Sequence, residues 1–181
     1  MRKLVRSIVR SSSLSFTPLL VLTVLVAVSA GLSLFIANKA VAQDEDYYRI
    51  QLKHGGQYLD ADHCTTKVGL NPGSDYDGGA CQLWRLVPVG EGWNRLQLKH
   101  GGQYLDADHC TTKVGLNPGS DYDGGACQLW RLVPVSGGWS RLQLKHGGQY
   151  LDADHCTTKV GLNPGSDYED GACQLWRLVP E

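Results

Sequence analysis

The chain has 181 residues, of which 42% are hydrophobic and 19% are charged, with 17 basic and 18 acidic side chains. The first 42 residues hold five of the basic residues and no acidic one, so the remaining 139 carry a formal charge of about −6. An acidic domain without a basic stripe lacks the electrostatic footprint of a nucleic-acid-binding protein, and we exclude that class of partner. A segment of 139 residues is long enough to bury one core.

The N-terminal segment has the three features of a secretory signal peptide. Four basic residues stand among the first ten, residues 11–38 carry no charge, and Ala40-Val41-Ala42 forms a small-residue cleavage site. The apolar run is long for a signal peptide and approaches the ~20 residues that span a bilayer, so an uncleaved membrane anchor is the alternative. We predict a signal peptide at 1–42, a secreted or periplasmic/extracellular domain, and membrane contact only through this segment if it is uncleaved.

The rest of the chain consists of a 46-residue unit that is repeated three times. Gln51, Gln97 and Gln143 open successive copies of QLKHGGQYLDADHCTTKVGLNP, and residues 51–96 differ from 97–142 at only three positions. A fixed period of this length indicates a repeat architecture. We predict a single domain at 43–181, built from repeats at about 47–92, 93–138 and 139–181.

Each repeat predicts four short strands and no helix. Alternating polar and apolar residues indicate strands at 48–53, 57–61, 68–70 and 82–89, with segments rich in Gly, Pro and Asp as turns. Three blades fall below the usual minimum for a propeller, and a two-sheet sandwich needs no threefold repeat. The remaining closed solution for about twelve strands is an all-β fold with threefold pseudosymmetry, the β-trefoil, in which three hairpins cap a six-stranded barrel. Tyr47 fits this closure, because it holds the position of Trp93 and Trp139.

The six cysteines lie two to a repeat, 17 positions apart. An even number in an exported chain indicates disulfides. The threefold repeat favours pairing within each repeat, and head-to-tail links between repeats are the alternative. No C-x-x-C pair supports a metal site, and the acidic turn at 75–79 lacks the EF-hand pattern, so we predict neither metal nor cofactor. The favoured pairs are Cys64–Cys81, Cys110–Cys127 and Cys156–Cys173.

Two motifs, repeated in register, resemble those of the ricin-type (Q-x-W) β-trefoil lectins and carbohydrate-binding modules. G-x-Y-L-D at 56–60, 102–106 and 148–152 is followed by Q-x-W at 82–84, 128–130 and 174–176. The resemblance covers residues 47–180. It implies that the tryptophan of each Q-x-W packs in the core, which its size and strand position also favour, while the glutamine braces nearby backbone. The predicted core tryptophans are Trp84, Trp130 and Trp176.

The resemblance also implies the carbohydrate-binding residues. Asp60 matches the aspartate that binds the ligand in this family. A carboxylate can accept hydrogen bonds from two adjacent sugar hydroxyls. The competing interpretation is an Asx-turn, in which the carboxylate binds nearby backbone. Asn71 stands where the family often has a stacking aromatic residue, so an aromatic platform would come from Tyr76 or His63. The predicted carbohydrate-binding residues are Asp60, His63, Asn71, Tyr76, Gln82, Asp106, His109, Asn117, Tyr122, Gln128, Asp152, His155, Asn163, Tyr168 and Gln174.

We predict no catalytic residues. Asp62-His63-Cys64 are adjacent in sequence, but a nucleophile and its base must converge in space, and a cysteine held in a disulfide is no nucleophile. The expectation is a secreted, non-catalytic lectin for glycans, glycoproteins or polysaccharide, with galactose-type or related sugars as the first candidates. Up to three equivalent sites would act by multivalency. The alternative is a β-trefoil interaction scaffold or a protease-inhibitor-like protein. The oligomeric state stays open, and a monomer is compatible with the sequence.

Overall fold

The computed structural model describes residues 46–73, 76–119, 121–165 and 168–181. The predicted signal peptide at 1–42 lies outside these residues. The described segments contain twelve strands and six short 3₁₀ segments, and none of their helices is long and apolar enough to cross a membrane. The strands are β1 (Tyr48–Leu52), β2 (Tyr58–Ala61), β3 (Val68–Asn71), β4 (Trp84–Gly90), β5 (Trp93–Leu98), β6 (Tyr104–Ala107), β7 (Val114–Asn117), β8 (Trp130–Pro134), β9 (Ser140–Leu144), β10 (Tyr150–Ala153), β11 (Val160–Asn163) and β12 (Trp176–Pro180).

Six of the strands close into a barrel. The ring runs β1–β4–β5–β8–β9–β12 and returns to β1, and every neighbouring pair is antiparallel. The first and last strands complete it, with Ile50 opposite Leu178 and Leu52 opposite Trp176. Alternate residues of these strands point inward, so Ile50, Leu52 and their counterparts fill the barrel. The prediction of an all-β trefoil with threefold pseudosymmetry is therefore confirmed.

Three hairpins cap the barrel and interlock with one another. They are β2–β3, β6–β7 and β10–β11. The N–H of Leu70 donates to the Thr158 carbonyl of the third hairpin at 3.0 Å, beside a single bridge between Gly69 and Lys159. A Cβ at position 69 would lie 3.0 Å from that same carbonyl oxygen, so a larger residue there would force the neighbouring backbone to shift by a few tenths of an ångström. The same contacts join Lys67 to Gly115 and Lys113 to Gly161.

The tryptophans of the Q-x-W motifs attach each cap hairpin to the barrel. Trp84, Trp130 and Trp176 are at most 1% exposed. The Nε1–H of Trp84 donates to the Leu59 carbonyl at 3.0 Å, and the other two repeats have the same bond. A buried indole N–H requires such a partner. This bond fixes the backbone of β2 next to Asp60.

The fourth strand begins two residues later than the sequence pattern indicates. Gln82 was predicted to open a strand at 82–89, but it ends the 3₁₀ segment Tyr76–Gln82, and β4 starts at Trp84. The N–H of Leu83 reaches back to the Ala80 carbonyl, which extends the turn up to the strand. Gln82 is consequently fully buried at the end of a turn.

The disulfides join the two 3₁₀ turns of each repeat. The bonded pairs are Cys64–Cys81, Cys110–Cys127 and Cys156–Cys173, with Cα–Cα distances of 4.8–4.9 Å. Each bond connects the turn after the second strand to the turn before the fourth. Closing a loop of this length contributes about 3 kcal/mol to stability in the chain-entropy model.

Candidate functional site

A groove lies where one cap hairpin meets its neighbour. One wall of the first groove consists of Asp60, Asp62 and residues 67–71, and the opposite wall consists of residues 158–160 of the third repeat. The groove has a volume of about 460 Å³. A second groove, of about 310 Å³, sets Asp152 and Asp154 against Thr112 and Lys113 of the second repeat in the same way. These volumes lie at the lower end of the range for small-molecule sites.

The third position follows from the interlocked hairpins. Asp106 lies opposite Gly115 on β6 and β7, as Asp60 lies opposite Gly69. The bridge between Lys67 and Gly115 brings the first repeat against this hairpin. The same side-chain types therefore meet at all three junctions.

Asp60 is the most buried polar residue in the lining of the first groove. Asp60 is only 5% exposed, and its carboxyl oxygen Oδ2 has no hydrogen-bond partner among the described residues. The facing residue on β3 is Gly69, which has no side chain to fill the space in front of the carboxyl. A buried hydrogen-bond acceptor without a partner lowers the stability of the folded state. A purely structural aspartate would not need such a cost, so the arrangement indicates a binding role. Asp106 and Asp152 repeat this arrangement, at 4% and 5% exposure.

The pKa of each of these carboxyls is raised above its ordinary value. For Asp60, burial is the largest cause, because it disfavours the charged form. The Gln82 side-chain hydrogen bond acts in the opposite direction, and the charges of Asp62 and His63 respectively raise and lower the pKa by less. Asp106 and Asp152 have the same causes in the same order. Desolvated carboxyls in a cleft are typical of functional sites.

The residues predicted to bind carbohydrate fall into two groups in space. Asp60 and Asn71 line the same groove, and Asn71 Oδ1 also accepts the Gly73 N–H at 3.2 Å. Gln82 is fully buried near the Asp60 carboxyl, so it supports the groove wall. Asp152 and Asn163 line the second groove together in the same way.

The predicted aromatic residues form a separate cluster beside the disulfide. The rings of His63 and Tyr76 meet edge to face, 5.3 Å apart, and those of His109 and Tyr122 do so at 5.5 Å. Tyr76 is 53% exposed. Neither His63 nor Tyr76 belongs to the groove lining, but Asp62 does, and its Oδ1 lies 2.7 Å from His63 Nδ1. The side chain of Tyr168 lies outside the described part of the chain.

Several groove residues were not predicted from the sequence. Lys67, and Thr158 with Lys159 from the adjacent repeat, complete the walls around Asp60. Each stands in a polar segment that reads as a solvated loop. No local sequence signal distinguishes these residues, because their place in the groove depends on which hairpins are neighbours around the barrel.

A second polar cluster lies near the disulfide, and it involves different residues. Ligand atoms of Cys64, Asp77 and His100 lie within 4.8 Å of one another, as do those of Cys110, Asp123 and His146. The Cys64 sulfur is bonded to Cys81, so it is not available as a thiolate, the form of cysteine that binds metals. The exposed pair of His100 Nδ1 and Asp77 Oδ2, 2.6 Å apart, is then a link between adjacent repeats.

The family follows from a match between this chain and known proteins. A model of the ricin-type β-trefoil lectin domain-like family matches residues 35–117. The chain belongs to this family. Membership supports a role in carbohydrate binding. Among curated protein sequences, none matches the chain.

Solved structures share the fold of this chain. ThreeFoil, a designed threefold-symmetric protein, is 33% identical, with a TM-score of 0.62 over 74% of this chain and 97% of ThreeFoil. SeviL, solved with asialo-GM1 saccharide, is 19% identical, with a TM-score of 0.58 over 74% of this chain and 95% of SeviL. An exo-β-1,3-galactanase from Clostridium thermocellum is 22% identical, with a TM-score of 0.63, but only 31% of that enzyme is covered by 77% of this chain. The last two similarities show the fold alone.

Proposed function

We propose that the protein is a secreted, non-catalytic lectin that binds carbohydrate in the grooves between its cap hairpins. The observation that supports this most strongly is the nearly buried Asp60 carboxyl in the groove lining, with Asp106 and Asp152 in equivalent positions. An ionised carboxylate is an acceptor for two directional hydrogen bonds, which suits adjacent hydroxyls on a sugar ring. Asn71 adds an amide on the same wall.

The other groove walls suit the remaining surface of a sugar. Val68, Leu70 and Val160 give the groove an apolar part, which can contact the C–H face of the ring. Polar groups that fix orientation, set among apolar contacts, are typical of small-ligand sites. Galactose-type or related sugars are the first candidates, because the motifs that carry Asp60 and Gln82 resemble those of the ricin-type lectins.

Three equivalent sites favour binding to surfaces that carry many glycans. The grooves are small for ligand sites, so we expect weak binding at a single site. Linking such sites raises the overall affinity by about 10²–10⁴ when the geometry lets them engage together. A multivalent glycan should therefore compete far better than the free monosaccharide.

A glycan array with the oxidised protein tests the proposal. The variant D60N/D106N/D152N keeps the side-chain volume and removes the three carboxylates. The matched control D77N/D123N/E169Q removes three exposed carboxylates, one in each repeat, that do not line the described grooves. We expect the parent and the control to bind the same glycans and the groove variant to lose them while remaining folded. No glycan bound by the folded parent would instead favour an interaction scaffold.

A further inference from the structure

Neighbouring grooves share a lysine. Lys159 lines both grooves, as part of the far wall opposite Asp60 and as part of the near wall beside Asp152. Its bridge to Gly69 explains this double role, because it places the third hairpin against the first. Lys67 and Lys113 make the equivalent bridges to Gly115 and Gly161. Three lysines therefore alternate with three grooves around the cap.

These lysines are exposed and are not committed to ion pairs. None of Lys67, Lys113 and Lys159 forms an ion pair with a residue that the structure describes, whereas Lys99 pairs with Glu181 at 3.2 Å. Within the groove, Asp62 is already 2.7 Å from His63. The first two grooves thus each present a nearly buried carboxyl on one wall and, on both walls, a lysine without an ion pair to any described residue.

We propose that each groove takes an acidic saccharide, with the aspartate holding ring hydroxyls and the lysines of the two walls together holding a carboxylate or sulfate group of the ligand. This inference rests on the proposed lectin function and specifies its ligand class. A lysine ammonium group binds either anion by charge-assisted hydrogen bonds, which are stronger than neutral ones. A uronate and a sulfate ester share this chemistry, so the experiment must separate them.

Because neighbouring grooves share a lysine, a lysine substitution and an aspartate substitution should affect different numbers of grooves. Removing the charge of Lys159 alters the walls of two grooves. Removing the charge of Asp152 alters the lining of one of the two. A single lysine substitution should therefore weaken two of three sites, and a single aspartate substitution should weaken one.

Calorimetric titration of the oxidised protein tests the inference. The ligands are galacturonate oligosaccharide, sulfated galacto-oligosaccharide and neutral galacto-oligosaccharide of equal length. The groove variant is K67Q/K113Q/K159Q, and the matched control K53Q/K99Q/K145Q removes the same charge outside the groove linings. We expect the parent and the control to bind at least one acidic ligand about tenfold more tightly than the neutral one, and the groove variant to lose that preference. The preferred acidic ligand identifies carboxylate or sulfate as the group bound.

The outcomes separate this inference from the function on which it rests. Equal binding of acidic and neutral ligands, unchanged in K67Q/K113Q/K159Q, would overturn the acidic ligand and leave the lectin function intact. Binding of none of the three ligands by the folded parent would also overturn the acidic ligand, and the glycan array, which covers other sugars, then decides whether the lectin function stands. For the acidic ligand, K159Q should reduce the number of tight sites by two and D152N by one, and equal reductions would contradict the shared lysine.

Discussion

The substitution Trp84→Phe tests how much the buried indole hydrogen bond stabilises the fold and the strand that carries Asp60. It removes the indole N–H that donates to the Leu59 carbonyl at 3.0 Å, inside a core where Trp84 has no exposed surface. The carbonyl is left without its donor, which costs about 1–3 kcal/mol, and the smaller ring leaves a cavity. We expect the free energy of unfolding to fall by about 2–4 kcal/mol in total. The backbone beside Asp60 should loosen with it.

Urea unfolding with the disulfides intact measures this loss. Trp139→Phe is the control, because its partly buried ring stacks with the Arg177 guanidinium at 4.8 Å, a contact worth about 1 kcal/mol or less at such a site. Trp130→Phe should match Trp84→Phe, since the hydrogen-bond length and burial are the same. A loss below about 1 kcal/mol for Trp84→Phe would refute the role given to this hydrogen bond.

Three further predictions concern the caps and the turns. Replacing Cys64 and Cys81 together by alanine should lower the free energy of unfolding by about 3 kcal/mol, and non-reducing peptide mapping should recover this pair from the parent. Gly69→Ala should be clearly destabilising in thermal unfolding, whereas Gly73→Ala, where a Cβ meets nothing within 4 Å, should be nearly neutral. Burial raises the pKa of Asp60, so ionisation of this carboxyl destabilises the folded state. Asp60→Asn should therefore stabilise the protein at neutral pH. This gain should vanish below about pH 3.9, the pKa of an aspartate in the unfolded chain, where the carboxyl is protonated in both states. A gain that persists at low pH would contradict that cause.

The fold was predictable because its determinants are local and repeated. The strand patterns and Q-x-W motifs recur in register, and three copies leave few closed all-β solutions. The start of the fourth strand was missed because the polar–apolar alternation extends back to Gln82, whereas the extended backbone begins only at Trp84. There the Leu83 N–H bonds to Ala80 and the disulfide at Cys81 holds the turn, and neither constraint shows in the alternation.

The site was predictable only on one of its walls. Asp60 and Asn71 lie on paired strands of one hairpin, so a resemblance between motifs was enough to identify them. Lys159 is 99 residues away from Asp60 in sequence and enters the groove through contacts between hairpins. Tyr76 or, alternatively, His63 was predicted to supply an aromatic platform, and the structure places the two rings against each other beside the disulfide. That the platform serves the groove remains a prediction.

The most direct test of the lectin account is a crystal structure of the oxidised protein with the glycan that binds best on the array. The account predicts sugar density in the grooves, with ring hydroxyls within hydrogen-bond distance of the carboxyls of Asp60, Asp106 and Asp152. Sugar density confined to the exposed Tyr76 and Tyr122 loops, with empty grooves, would contradict it.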